Sequence, residues 1–193
     1  MTVRVIGYKD SFAPDELIIN TTSRSSEAWS KGLSPFYLGP IPLYEGAVCE
    51  QATNLENAWQ FAKVYPVHLT ADGNPSEEYF AWAKTGWSDP RGHRYPMGKK
   101  KAPAYSWWAG ERLGYIEARK RIYIPLYAKA VVKTPAFARL LDLYRRTGDV
   151  TLWDFDGYDH RALGMTMKDV VNNDKRSMGH AFVIAYLLEA MRG

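Results

Sequence analysis

The run Ala181-Phe182-Val183-Ile184-Ala185-Tyr186-Leu187-Leu188 is aliphatic or aromatic at every position. A helix built from it is apolar nearly all round, so it belongs inside a protein rather than on its surface. It is too short to cross a bilayer, which takes roughly 20 apolar residues. Asn173-Asp174 supplies capping side chains, and the spacing predicts a helix from Lys175 to Arg192 at the centre of the fold. The rest of the chain has to wrap around it. With 193 residues, 46% of them hydrophobic, the chain is long enough to bury about 70% of its unfolded surface. Residues 1–193 are expected to form one domain.

Other elements follow from local signals. Leu17 to Asn20 reads as a short strand, ending in the polar run Thr21 to Ser26. Gly32 to Tyr44 carries Pro35, Pro40 and Pro42, which exclude a central strand or helix and imply an ordered loop or edge strand. A helix is expected from Asn54 to about Tyr65, stopped by Pro66, and a short one from Glu77 to Lys84. Asp89 to Lys101 reads as loop. A long helical pattern from near Glu111 to Val132 should kink at Pro125, which has no N–H to donate. Thr134-Pro135 is an N-cap followed by an N1 proline, with Gly148 as the stop. Thr151 to Phe155 alternates as a strand does. The class is α+β, helix-rich, with short strands and a buried C-terminal helix.

One cysteine, Cys49, excludes an internal disulfide and a cysteine metal cluster. His68, His93, His160 and His180 lack ligand spacing, so no metal and no cofactor is expected. Met1 to Gly7 has no signal-peptide core and no run spans a membrane, so the expected compartment is cytoplasmic. The net charge of +4 is unevenly spread. Residues 89–133 hold 11 Lys/Arg against 3 Asp/Glu, whereas residues 1–88 hold 6 against 10. A basic block of this kind suits a phosphate-bearing partner, nucleotide or nucleic acid, or else is a solvated helix face plus a lysine-rich loop.

Asn54 to Lys63 is the densest candidate for chemistry. Leu55, Ala58, Trp59 and Ala62 recur at core-facing helical spacing. Glu56, Gln60 and Lys63 form a neighbouring stripe, so a carboxylate, a carboxamide and an ammonium meet the boundary between core and solvent. On a continuous helix Lys63 would lie roughly 10 Å along the axis from Glu56, which suits it to a substrate oxygen rather than an ion pair. The simpler reading is a capping box, Thr53-x-x-Glu56, beside a solvated face. Asp154 and Asp156 flank a strand end, where catalytic acids and turn-forming aspartates both occur. Asn172 to Gly179 joins a capped helix N-terminus to Lys175 and Arg176, with Gly179 permitting close approach. That is a phosphate cradle or an ordinary salt-bridged helix end. Phe36, Tyr37, Trp107 and Trp108 are core aromatics or base-stacking platforms.

In order along the chain these segments resemble the NADAR family, small domains typified by riboflavin-pathway N-glycosidases and by proteins that remove ADP-ribose from guanine. Ile18-Ile19-Asn20 is similar to the family's opening strand, and Leu33-Ser34-Pro35-Phe36 to its Phe-Ser-Asn-Phe segment. Glu56-Asn57-Ala58-Trp59-Gln60-Phe61-Ala62-Lys63 is similar to its Glu-His-x-x-Gln-x-x-Lys helix. Arg94 to Gly98 is similar to its Arg-Met-Gly turn, and Lys175-Arg176-Ser177-Met178-Gly179 to its Lys-Asn-Arg-Leu-Gly motif. Asn57 stands where the family has histidine, and Val67 to Tyr79 and Arg91 to Trp108 look inserted.

The resemblance implies a NADAR-like domain and an N-glycosidase that cleaves a phosphorylated riboside, such as ADP-ribose attached to guanine in DNA. Glu56 would be its catalytic carboxylate, with Asp154 or Asp156 as a second acid. Asn20, Ser34, Gln60, Lys63, Arg94, Gly98, Lys175, Arg176, Met178 and Gly179 would bind the substrate, with Trp108 or Phe36 stacking on the leaving base. Two rival readings remain: a non-catalytic binder of an ADP-ribose-type nucleotide or of modified nucleic acid, and a non-specific nucleic-acid binder.

Overall fold

Strand pairing ties the first residues of the chain to residues almost 150 positions later. In the computed structural model, which describes residues 2–191, Thr2–Ile6 runs parallel to Asp149–Trp153 from the pair Thr2 and Asp149 to the pair Ile6 and Trp153. Ile18–Asn20 runs parallel to the other edge of Asp149–Trp153, making a three-stranded sheet with that late strand in the middle. Parallel strands need long crossovers and bury both faces. Val3, Val5, Ile19, Val150 and Leu152 accordingly have almost no exposure. The helix His180–Ala190 packs on this sheet.

Two compact units result. One takes in the chain up to Tyr37 and again from Tyr127; the other is Leu38–Leu126. Both mix helices with short strands, so the α+β class holds. Among the described residues no helix is long and apolar enough to cross a membrane.

In the first unit the helix Pro135–Thr147 follows its local signals closely. The Thr134 side chain accepts from the Phe137 N–H, Pro135 opens the helix, and Gly148 closes it at φ 81°, a conformation that costs glycine little. The last helix departs from expectation. It begins at His180, not Lys175, with Gly179 as N-cap; the expected end at Arg192 lies outside the described residues. Asn173 does not cap it. Its side chain accepts from the Lys175 N–H in a local turn, and a separate helix Met167–Asn172, unforeseen, precedes it with a Thr166/Asp169 capping box. Residues 180–185 and Leu188 are buried, as an all-round apolar helix requires, while Tyr186 is exposed.

In the second unit the helix expected from Asn54 to Tyr65 stops at Gln60. Lys63–Val64 becomes a strand paired antiparallel with Tyr105–Ser106. Ala62 and Val64 carbonyls accept from Trp107 and Ala104 N–H groups, so sheet pairing overrides the helical pattern from Ala62 onward. The N-cap is Asn54, whose Oδ1 accepts from Asn57 N–H at 2.9 Å. The Thr53 capping box does not form: the Thr53 hydroxyl donates to the Trp87 carbonyl instead.

Ile41–Pro42 pairs with Gln51–Ala52 as a two-stranded edge element, within the proline-punctuated stretch. The helix Glu77–Ser88 runs four residues past the expected Lys84. Residues 89–104 hold no helix or strand. The pattern read as one helix from Glu111 divides: Glu111–Leu113 is a strand, and Tyr115–Ala118 and Ile124–Val131 are α-helical. Between them Arg119–Tyr123 forms a π turn in which the Ile124 N–H reaches the Arg119 carbonyl. The wider turn precedes Pro125, which cannot continue an α-helical ladder.

Candidate functional site

The six-residue helix Leu55–Gln60 is buried on its polar side as well as its apolar one. Glu56 is 6% exposed and Gln60 4%, beside Leu55 and Ala58. Glu56 and Gln60 are therefore not part of a solvated face and must be satisfied internally, while Lys63 is half-buried. They are joined in series: Lys63 Nζ donates to Gln60 Oε1 at 2.7 Å, and Gln60 Nε2 donates to Glu56 Oε1 at 2.9 Å. Because the helix ends at Gln60, Lys63 turns back over it rather than standing a further turn along the axis. Its ammonium also lies 4.8 Å from the centre of the Trp59 ring, within cation–π range.

Apolar packing fixes the surroundings. Trp59 and Trp108 pack on a cluster of Ala62, Leu113, Ala118 and Ile122, so Trp59 is half-buried at the rim rather than deep in the core. Tyr123 lies 5.3 Å from Trp59, and Tyr44 4.9 Å from Trp108. Arg119, fully buried with its guanidinium 4.5 Å over the Tyr115 ring, is a cation that the sequence reading passed over.

Asn57 has a defined task. Its Nδ2 donates to the carbonyls of Asp89 and Arg91, both at 2.9 Å, and its Oδ1 accepts from the His93 N–H at 2.8 Å. Asp89 braces the same turn, 2.8 Å from His93 Nε2. Backbone donation from Arg91, then His93, holds the Asp89 carboxyl below its usual range. The loop that carries Arg94 is thus rooted on the residue after Glu56. Arg94 is exposed, stacked over Tyr95, and Gly98 makes the following turn at φ 101°.

The remaining expected residues lie in the other unit. Asn20 is a turn former: its side chain accepts from the Thr22 N–H and hydroxyl. Ser34 and Met178 are buried, and Phe36 is half-buried. Lys175 and Arg176 are exposed in the turn before the last helix, so they do not sit on its N-terminus as the cradle requires. That N-terminus is already filled. Asp154 Oδ2 accepts from the Ala181 N–H at 3.1 Å, and Gly179 lies so close that a Cβ there would collide with the Asp154 carboxylate.

Asp154 is buried beside His180, with His180 Nδ1 at 3.1 Å and His180 Nε2 2.8 Å from the Thr21 carbonyl. Both ring nitrogens face acceptors, which fits an imidazolium against a carboxylate. Burial raises the Asp154 carboxyl, but the His180 charge and hydrogen bond, with the Ala181 and Asp156 N–H groups, prevail and lower it. Asp156, by contrast, lines an open cleft of about 360 Å³ with Tyr8, Lys9, Phe155, Tyr158 and Arg176. His180 and this cleft were not foreseen; Gly179 directly before the apolar run was the available signal for where the helix starts.

These features describe an α+β protein with a buried carboxylate–carboxamide pair joined to a half-buried ammonium in one unit and a carboxylate-capped helix in the other. The chain belongs to DUF6939, a family of unknown function whose family model matches residues 7–184. No curated protein and no solved structure matches it.

Proposed function

We propose that the chain is an N-glycosidase hydrolysing the bond between the ribose of a phosphorylated riboside and a base, with Glu56 as the reacting carboxylate. The observation that carries the reading is the series Lys63–Gln60–Glu56, whose carboxamide and carboxylate are buried, on the segment that resembles the NADAR helix. A carboxylate and a carboxamide buried side by side, with a half-buried ammonium at their edge, are an expensive arrangement for a fold and a common one for a reaction site. A NADAR-like architecture and a cytoplasmic setting go with the proposal.

Cleavage of such a bond passes through an oxocarbenium-like state, and a carboxylate beneath the sugar stabilises the positive charge. Glu56 takes a proton from water as the water oxygen bonds to the anomeric carbon. The carbon–nitrogen bond breaks, and the base leaves with the bonding pair and is protonated. Arg94, on the loop rooted at Asn57, contacts phosphate; Trp108 offers a ring face to the base. No metal or cofactor enters the step. ADP-ribose attached to a nucleobase, guanine in DNA included, is the substrate class the resemblance favours.

The test is incubation of the purified protein with ADP-ribosylated guanine, followed by chromatography for free guanine and ADP-ribose. Wild type should release both, and Glu56→Gln should bind the substrate without releasing either. Undiminished turnover by Glu56→Gln rules the mechanism out. Ligand retained intact by wild type selects the second reading, a non-catalytic binder, which is favoured by Asn57 standing in place of the family's histidine.

A further inference from the structure

Gln60 sits in the middle of the series, itself buried, and the chemistry on either side gives it a single orientation. An ammonium only donates, so the carboxamide oxygen must face Lys63. The –NH2 end is then left for Glu56, and since it only donates, Glu56 Oε1 must accept. The observed distances, 2.7 and 2.9 Å, match that order. A carboxamide alone can turn over about its last torsion, which is broad and roughly two-fold. Lys63 removes that freedom at a residue 4% exposed.

We propose that Gln60 is a positioning residue, which transmits the Lys63 charge to Glu56 and holds one Glu56 oxygen as an unprotonated acceptor. The inference rests on the reading of Glu56 as the reacting carboxylate, and it replaces the expected role of Gln60 in holding substrate. Both ends of the side chain are committed within the protein. A carboxamide suits the task because it does not titrate: it passes on polarity without taking up or releasing a proton.

Two measurements test the proposal on the intact chain. The first is the Gln60 side-chain amide resonance in 15N-labelled protein, assigned by triple-resonance spectra. Lys63→Met should shift it, because the carboxamide loses the partner that orients it; an unmoved resonance overturns the proposal. The second is steady-state turnover of ADP-ribosylated guanine. Gln60→Met, similar in shape but unable to bridge, should lower kcat roughly 10- to 100-fold, the effect of losing a hydrogen bond to a charged group, with KM unchanged. Gln60→Glu should not restore it, since it sets an acceptor against an acceptor. A raised KM with unchanged kcat assigns Gln60 to the substrate and overturns the proposal. Where wild type releases no base, the functional reading fails, and the amide shift in Lys63→Met still decides whether the series transmits.

Discussion

Asp154 Oδ2 lies 3.1 Å from Nδ1 of His180, with both side chains buried and the same carboxylate oxygen accepting from the first turn of the last helix. The pair stands at the end of the central strand and joins it to the helix that fills the core. An aspartate expected to share in catalysis is thus committed to holding two elements together.

Removing the charge should destabilise the fold and change its acid response. Because the Asp154 carboxyl is lowered in the folded state, its stabilisation is complete above the ordinary aspartate value near 3.9. It is lost as pH falls through the lower folded value. Asp154→Ala removes the buried acceptor shared by His180 Nδ1 and the Ala181 N–H and should cost about 3–5 kcal/mol. Asp154→Asn should lose less and flatten the fall in stability below that pH. Urea unfolding between pH 6 and pH 2 measures both.

Gly179→Ala should act through the same carboxylate. An added Cβ collides with Asp154, and overpacking of this sort costs about 1–3 kcal/mol. In an Asp154→Gly background the collision is gone, so the two changes should be far from additive. A double-mutant cycle in urea reads the coupling directly.

Asn57→Leu should release the loop that begins at Asp89 while leaving the helix in place. Three hydrogen bonds to the backbone of Asp89, Arg91 and His93 disappear. Limited trypsin digestion should then cut after Arg91 and Arg94 sooner than in wild type, and amide exchange at His93 should accelerate. Unaltered cleavage would show that the loop is held by other means.

Glu56→Gln should reduce base release by at least about 100-fold, the lower end of what a general base contributes. Thermal melting should change little, because a carboxamide fills the same space and its oxygen can still accept from Gln60 Nε2. Melting that collapses together with turnover would point to a structural carboxylate.

Local grammar was readable where one side chain decides an outcome. Thr134, Pro135 and Gly148 set both ends of their helix without help from the rest of the chain, and the apolar run from Ala181 could only be buried. The errors came where distant partners compete. The Leu55 to Ala62 spacing is helical, but pairing of Lys63–Val64 with Tyr105–Ser106 draws the backbone into a sheet forty residues away in sequence. Asn173 and Asp174 look like caps, yet the cap of the last helix comes from Asp154, 27 positions from the Ala181 N–H it accepts. The stripe of Glu56, Gln60 and Lys63 was visible as a cluster, whereas its burial and its direction were not. Periodicity says which residues share a face and nothing about what covers it.

The parallel pairing of Thr2–Ile6 with Asp149–Trp153 has a consequence for how the chain is made. The middle strand of that sheet is not complete until Trp153 has been synthesised, 147 residues after Ile6, which at about 5–20 residues per second takes roughly 7 to 30 s. Throughout that interval Val3, Val5 and Ile6 have no strand beside them, while Leu38–Leu126 emerges whole. The strand Thr2–Ile6 therefore waits for its native partner longer than Ile18–Asn20, which pairs with the other edge of the same strand.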